Sequence, residues 1–299
     1  MSKKSPAPCS PSHYINFQNS GTCYSFSDLK LIRDVYNEQN QANPISKAKF
    51  RTKQTLYEEL RRRFEGKCGE IESCWIDTIN IAYNKKKELE ESFRPKKPRE
   101  WYNNRRTWLN TYDILYVMEQ YEKKYKNFKF LGVYPIDFNA RNSSGSCIGN
   151  IMCSLHVRDL LNQKKKRFGI VVNTDPHNRG GQHWFSIYFN IDPKIKNFGI
   201  YYYDSVAYPP EKEMTAFMEQ IKSQIYEVYP EHIAKKFEVK HNTERRQYKN
   251  TECGVFSIIF LTQCLKNIPC TDICKRMFTD DQINAFRDSL YRESQYSQP

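Results

Sequence analysis

Two short runs alternate strictly: His183-Trp-Phe-Ser-Ile-Tyr-Phe-Asn-Ile191 and Phe198-Gly-Ile-Tyr-Tyr-Tyr-Asp204. A period of two, rich in aromatic and β-branched residues, is the pattern of half-buried strands. Joined through Asp192-Pro-Lys-Ile195 as a four-residue loop, the runs form an antiparallel hairpin. Phe189 then faces Phe198, Ile187 faces Ile200 and Phe185 faces Tyr202, so one face is apolar throughout. The next pair on that face, at the open end, is His183 opposite Asp204. A carboxylate beside an imidazole fixes its tautomer and stabilises its cation. Singly, each residue has an ordinary reading as a satisfied histidine or a turn aspartate. Their meeting on one face singles them out.

Outward from the hairpin, further strands are expected at Phe168–Asn173, at Phe128–Phe138 with its exit, and at Phe237–His241. Helical spacing marks Trp108–Glu122, a segment with Leu155, Val157, Leu160 and Leu161, Glu211 to about Tyr229, and about 280–293. The fold class is therefore α+β. No internal repeat is present.

A second stretch carries chemistry: Gln247-Tyr-Lys-Asn-Thr-Glu-Cys253-Gly-Val-Phe-Ser-Ile-Ile-Phe-Leu261. A polar, turn-prone segment runs through one cysteine and one glycine into an almost wholly apolar helix. Unpaired N–H groups and the helix dipole favour an anion at such a start. A cysteine in that position has reason to be a thiolate, the attacking form. On this stretch alone a small buried hydrophobe is the ordinary reading of Cys253. The apolar run, from Val255 to Leu261, is suited to pack on the hairpin's apolar face and bring Cys253 to His183.

Residues 1–20 are rich in Ser, Pro and Asn and read as a loose tail. Helices are expected from Ser25 or Ser27, over about 52–65 and, briefly, around Trp75–Ile81, with 85–91 charged and helical in character. Phe93-Arg-Pro-Lys-Lys-Pro-Arg99 has two prolines among basic residues and should be extended. It divides a basic, mainly helical N-terminal arm (1–100) from a second domain (101–299).

With 47 Lys and Arg against 34 Asp and Glu, the formal charge is +13, an excess that favours polyanionic partners. Clusters at 61–63, 96–99, 105–106, 164–167 and 245–246 carry much of it. No apolar run approaches the ~20 residues of a membrane span. The start of the chain lacks the apolar stretch of a secretory signal, so a reducing, intracellular compartment and free thiols are expected for the ten cysteines. Cys264, Cys270 and Cys274 lie near His232 and His241 in sequence, but their spacing is irregular and no CxxC pair is present, so they read as buried thiols and not as a metal site. Cys68 with Cys74 and Cys147 with Cys153 are read in the same way, with an oxidative disulfide as the alternative.

His183-Trp184, Asp204, Gln247 and Cys253-Gly254, in this order, resemble the cysteine proteases of the ubiquitin-like-protease and adenain type, papain-like enzymes in which His precedes Cys. The glutamine six residues before the cysteine fits that family's pattern. Trp108–Ile114 with Val117-Met118, Asn173–Pro176, Thr251–Gly254 and Phe278–Ile283 with Phe286-Arg287 resemble the branch found in large DNA viruses, which includes the African swine fever virus protease.

The resemblance implies an adenain-like core, a central mixed sheet flanked by helices, over about 100–293. It implies Cys253 as nucleophile, His183 as its cationic partner and proton donor, and Asp204 as the group orienting His183. Gln247 and the Cys253 amide would form an oxyanion hole. Gly254 would allow close backbone approach, and Trp184 would wall a substrate channel or sit in the core. No cofactor or metal is implied. The expected activity is endopeptidase cleavage of viral structural polyprotein precursors after small residues such as Gly-Gly-X during virion maturation, in the virion and host cytoplasm. Viral DNA is the polyanion to consider. Other readings are a ubiquitin-like isopeptidase, an acyltransferase on the same fold, and a basic DNA-binding structural protein with a vestigial site.

Overall fold

A computed structural model describes residues 7–275 and 278–293. It divides into two compact units, one up to Tyr102 together with Asp288 onward, the other Asn103–Arg287.

The first unit is helical: α1 (Tyr14–Ser20), α2 (Phe26–Gln39), α3 (Lys53–Cys68), a 3-10 turn at Glu72–Asp77 and α4 (Tyr83–Glu90). Helix α2 opens with a reciprocal cap. The Ser25 hydroxyl accepts from the Asp28 amide, and the Asp28 carboxylate accepts from the Ser25 amide. Leu29, Ile32, Leu56, Leu60 and Phe64 close around Trp75, which stacks on Phe64 at 5.4 Å. The last described residues also belong here. Arg292 donates to the Ser73 hydroxyl and its amide to the Pro95 carbonyl. The sequence boundary at residue 100 had left this return in the second domain.

Two expectations are corrected by the structure. Residues 1–6 lie outside the described residues, but from Cys9 the chain is not a loose tail. Cys9 and Ser10 are buried, Cys9 bridges to Phe93, and α1 follows. The free-thiol expectation also fails for six cysteines. Disulfides join Cys9 to Cys23, Cys68 to Cys74 and Cys147 to Cys153, with Cα separations of 5.1, 5.5 and 6.0 Å, inside the span a disulfide bridges. For Cys68–Cys74 the local cause is Gly69. Its φ of 53° turns the chain back at the end of α3, so that the next turn lies against it.

The second unit runs α5 (Thr111–Lys124), β1 (Phe128–Pro135), α6 (Val157–Asn162), β2 (Arg167–Asn173), β3 (Trp184–Asn190), β4 (Gly199–Tyr203), α7 (Lys212–Val228), α8 (Glu231–Ala234), β5 (Glu238–His241), α9 (Cys253–Leu265), α10 (Cys270–Lys275) and α11 (Asp280–Leu290). The sheet order is β1-β2-β3-β4-β5. The β1–β2 and β4–β5 pairs are parallel and the two central pairs antiparallel, so the sheet is mixed. On one face Phe168, Phe185, Ile187, Phe189, Ile200 and Tyr202 meet α6 and α7, through residues such as Leu160, Phe217 and Ile221.

The β3–β4 hairpin differs from the sequence reading in register. Phe189 pairs with Ile200 and Ile187 with Tyr202, two residues along from the expected partners. The connection is longer than a four-residue loop, because Ile191 and Phe198 leave their strands. The Asn190 side-chain amide holds this longer loop through the carbonyls of Asp192, Ile195 and Lys196, and Asn197 turns it with a left-handed φ of 62°. A slip of two keeps every side chain on its face.

The packing of α9 is also corrected. The helix lies on the opposite face from the one expected. Phe260 stacks on Tyr203 at 4.7 Å, and a Cβ on Gly169 would come within 3.2 Å of Leu261. All thirteen residues of α9 are buried, which is why its sequence is apolar all round.

If the folded protein carries these disulfides, denaturation without reductant and alkylation should label four cysteines by intact mass, Cys253, Cys264, Cys270 and Cys274. Prior reduction should raise the count to ten. Ten labels at both steps would refute the pairing.

Candidate active site

Strand β4 delivers its carboxylate one residue past its end. Asp204 has no solvent exposure. Its backbone is clamped by one side chain: the Asn242 carboxamide accepts from the Asp204 amide at 2.8 Å and donates to its carbonyl at 2.7 Å. The carboxylate Oδ1 accepts from the Val206 amide at 2.7 Å and lies 2.9 Å from Nε2 of His183. The Tyr202 hydroxyl lies 3.5 Å from Oδ2. Burial, and then the Asp204 charge, push this phenol far up, so it keeps its proton.

His183 immediately precedes β3, and its carbonyl accepts from the Thr174 amide at 3.0 Å. Because of the register, it meets Asp204 diagonally beyond the strand ends rather than as a direct cross-strand pair. The ring also hydrogen-bonds the Cys253 side chain. Burial alone pulls the His183 pKa down, but the hydrogen bonds to Asp204 and Cys253 outweigh it and push the pKa up to about 9. The imidazole is therefore a cation at neutral pH.

Cys253 is the first residue of α9. No side chain caps this helix end. Glu252, the residue before it, is fully buried and turns its carboxylate back to the Thr251 amide and hydroxyl, at 2.9 and 3.1 Å. The first-turn N–H groups of α9 have no intrahelical acceptors and point to the end where the sulfur sits. Gly254 is packed closely: a Cβ there would lie 3.1–3.4 Å from Leu109 side-chain atoms. The Leu109 carbonyl accepts from Trp184 Nε1 at 2.9 Å, so one residue braces both.

Gln247 is buried, its Oε1 2.6 Å from Ser205 Oγ and its Nε2 2.6 Å from the Lys249 carbonyl. Trp184 is also buried, yet lines a cavity of ≈ 520 Å³ with Trp108, Asn173, Asp175, His177, Arg179 and Gly181. It is wall and core at once. His177 is held by Asp137 at 2.6 Å.

The sequence reading did not single out Ser205, Asn242, His177 or Asp280, whose carboxylate accepts from the Tyr248 and Lys249 amides. Only Ser205, directly after Asp204, had a positional cue.

Some arginines of the basic clusters also bind the fold itself, Arg167 from a buried position and Arg245 from an exposed one. Arg167 is buried and donates to Asn127 and to the Leu265 carbonyl. Arg245 donates to the Gln247 carbonyl and Arg246 to that of Cys274. Among the other free cysteines, burial holds Cys264 far above the usual thiol range and pushes Cys274 up to about 12. Cys264 and Cys270 sulfurs lie 3.0 Å apart, and no metal-binding group of three or more His, Cys, Asp or Glu occurs among the described residues. No described helix is long and apolar enough to cross a membrane.

A sulfur at a helix N-terminus, a histidine cation bonded to it, and a buried carboxylate behind the histidine are the working parts of a cysteine peptidase. Residues 169–297 match the Ulp1 protease family, C-terminal catalytic domain, and the chain is a cysteine-type peptidase. A protein of Acanthamoeba polyphaga mimivirus named as a thiol protease is 25% identical over 95% of this chain and 93% of its own length. A cysteine protease of African swine fever virus (isolate Tick/Malawi/Lil 20-1/1983) is 26% identical over 69% of this chain and 74% of its own. The fold is that of the crystal structure of an African swine fever virus protease, with a TM-score of 0.65 and 19% identity, covering 98% of both chains.

The His183 ring should titrate near pH 9 by NMR, as its raised pKa requires. Because the pKa is raised, the interaction with Asp204 is fully present below the ordinary histidine value of about 6.5 and is lost as pH rises through about 9. Asp204→Asn removes a raising interaction and should move the midpoint down. An unchanged midpoint in that variant would show that Asp204 does not set it.

Proposed function

We propose that this cysteine peptidase is an endopeptidase that processes viral structural polyprotein precursors, cleaving after small residues such as Gly-Gly-X during virion maturation. The observation that carries the reading is the Cys253–His183–Asp204 line, and Trp184, next to His183 in the chain, lines a cavity together with Trp108. Aromatic walls accept flat, unbranched backbone and leave little room for side chains.

In this mechanism the Cys253 sulfur attacks the scissile carbonyl carbon. The resulting oxyanion is met by the Gln247 carboxamide and the Cys253 amide, donors each worth roughly 3–4 kcal/mol when preorganised. His183 gives its proton to the departing amine as the C–N bond breaks, leaving a thioester. The now neutral ring then takes a proton from water, which attacks the thioester and frees Cys253. Asp204 holds the ring in place throughout. Gly254 lets Leu109 pack against the nucleophile's helix.

Removal of a ubiquitin-like modifier is the second reading. The matched family is named for Ulp1, and some African swine fever virus relatives, 26% identical over 69% of this chain, are named as SUMO-1 cysteine proteases. For viral DNA the support is the net charge of +13, although Arg167 of the cluster at 164–167 is buried within the fold. Action in the virion and host cytoplasm follows from the polyprotein reading and has no independent support.

A panel of Gly-Gly-X peptides and a SUMO fusion, assayed side by side, separates the two substrates. Cys253→Ser and His183→Ala should each lower kcat/KM about a thousandfold or more. Cleavage at near wild-type rate in either variant would sink the mechanism. Exclusive turnover of the SUMO fusion would replace the polyprotein reading with the second. DNA affinity, if real, should fall steeply with added salt, and no binding at low salt would remove DNA as a partner.

A further inference from the structure

The Gln247 carboxamide has two neighbours, and their chemistry dictates which way it points. The Lys249 carbonyl, 2.6 Å from Nε2, can only accept. The amino group must therefore face it. Oε1 then faces Ser205 Oγ at 2.6 Å, and the serine hydroxyl must donate. Flipping the amide would set two carbonyl oxygens against each other. With one N–H on Lys249, the second N–H of Nε2 is the one available to substrate.

Ser205 grips the same residue by its backbone. Its carbonyl accepts from the amides of Arg246 at 2.7 Å and Gln247 at 2.8 Å. Ser205 is 1% exposed and Gln247 2%, so no water replaces these bonds without rearrangement. The same peptide segment holds Asp204, whose backbone is fixed by Asn242. The end of β4 thus anchors the histidine on one side and the loop before α9 on the other.

We propose that Ser205 is a positioning residue for the hydrolysis: its hydroxyl locks the Gln247 carboxamide with an N–H directed at the developing oxyanion, and so couples the acid end of the catalytic line to the oxyanion hole. This deepens the preceding reading and rests on Gln247 acting as an oxyanion donor. Without the hydroxyl, Oε1 becomes a buried acceptor with no donor and the amide loses its fixed orientation. The ground-state contacts of the substrate are untouched, so the loss should fall on kcat and not on KM.

The test is a double-mutant cycle on Ser205 and Gln247 in the full chain, with a cleavable peptide. Gln247→Ala should lower kcat by about a hundredfold, and Ser205→Ala by about tenfold to a hundredfold with KM changed less than about threefold. In the Gln247→Ala background, Ser205→Ala should cost less than about twofold more. The His183 titration near pH 9 should be unmoved in Ser205→Ala, since the serine is not in contact with the ring by any bond above. Ser205→Cys keeps the size with a weak donor and should lower kcat about fivefold or more, which preserves the test if the alanine variant does not fold. If Gln247→Ala retains near wild-type kcat, the oxyanion reading itself is wrong, and this proposal falls with it. If Gln247→Ala is impaired but Ser205→Ala is not, or if the two losses multiply, the serine does not act through Gln247 and this proposal alone is overturned. A shift of the His183 midpoint in Ser205→Ala would likewise overturn it, because the serine would then act on the histidine.

Discussion

A carboxylate with no access to solvent must have its charge met inside the fold, and Asp204 is met by the Val206 amide and the His183 ring. An unpaired buried charge costs several kcal/mol. Much of the surrounding architecture meets that requirement. Asn242, following β5, clamps the Asp204 backbone, so the edge strand and β4 are fixed together at the end where the chemistry sits. The ring that answers the carboxylate is thereby held as a cation and presented to the sulfur. The Ser205 step then carries the same rigidity into the Gln247 loop.

The hairpin shows what a single sequence can and cannot specify. Alternation determines which face a side chain takes within a strand, and Phe185, Ile187, Phe189, Ile200 and Tyr202 do share one face. It does not determine how far one strand slides along the other in steps of two, because such slips keep the apolar residues inside. Loop length decides that, and the Asn190-centred loop has no turn dipeptide to announce it. The His183–Asp204 contact is kept despite the change of register because both residues lie outside the paired strands, where a diagonal contact remains within reach. The face chosen for α9 was wrong for a related reason: a helix apolar all round carries no stripe to orient it.

Other misreadings arise from partners distant in sequence or from backbone geometry. Arg167 reads as part of a basic run but reaches Asn127 and the end of α9, both remote in the chain. Arg245 is exposed, as a surface arginine should be, yet also donates to the Gln247 carbonyl, and the part-buried Arg246 donates to a carbonyl of α10. Cys68 with Cys74 and Cys147 with Cys153 stand out as pairs in the sequence but read as thiols, because a six-residue separation does not show whether a turn, such as the one at Gly69, brings the two sulfurs together. Asn242 and Asp280 stand in polar segments where nothing distinguishes a clamp from a solvated side chain.

Among the thiols, position within one helix separates a nucleophile from packing. Cys253 and Cys264 share α9 and are both buried, about three turns apart. Cys264 lies in the helix body beside Cys270, where burial holds the thiol protonated and no cation offsets it. Cys253 stands at the dipole's positive end, against a histidine cation whose charge is sustained from behind by Asp204. Exposure alone would have classed the two together. The difference lies in which charges face each sulfur, and that depends on the helix start being placed at the open end of the β3–β4 hairpin. The apolar body of α9 secures this through Phe260 on Tyr203 and Leu261 against Gly169, contacts that form only if the two positions on the sheet stay free of clashes. A side chain at Gly169 would push on Leu261 and, through the rigid helix, on the sulfur at its start, so a residue with no chemistry of its own helps determine where Cys253 stands.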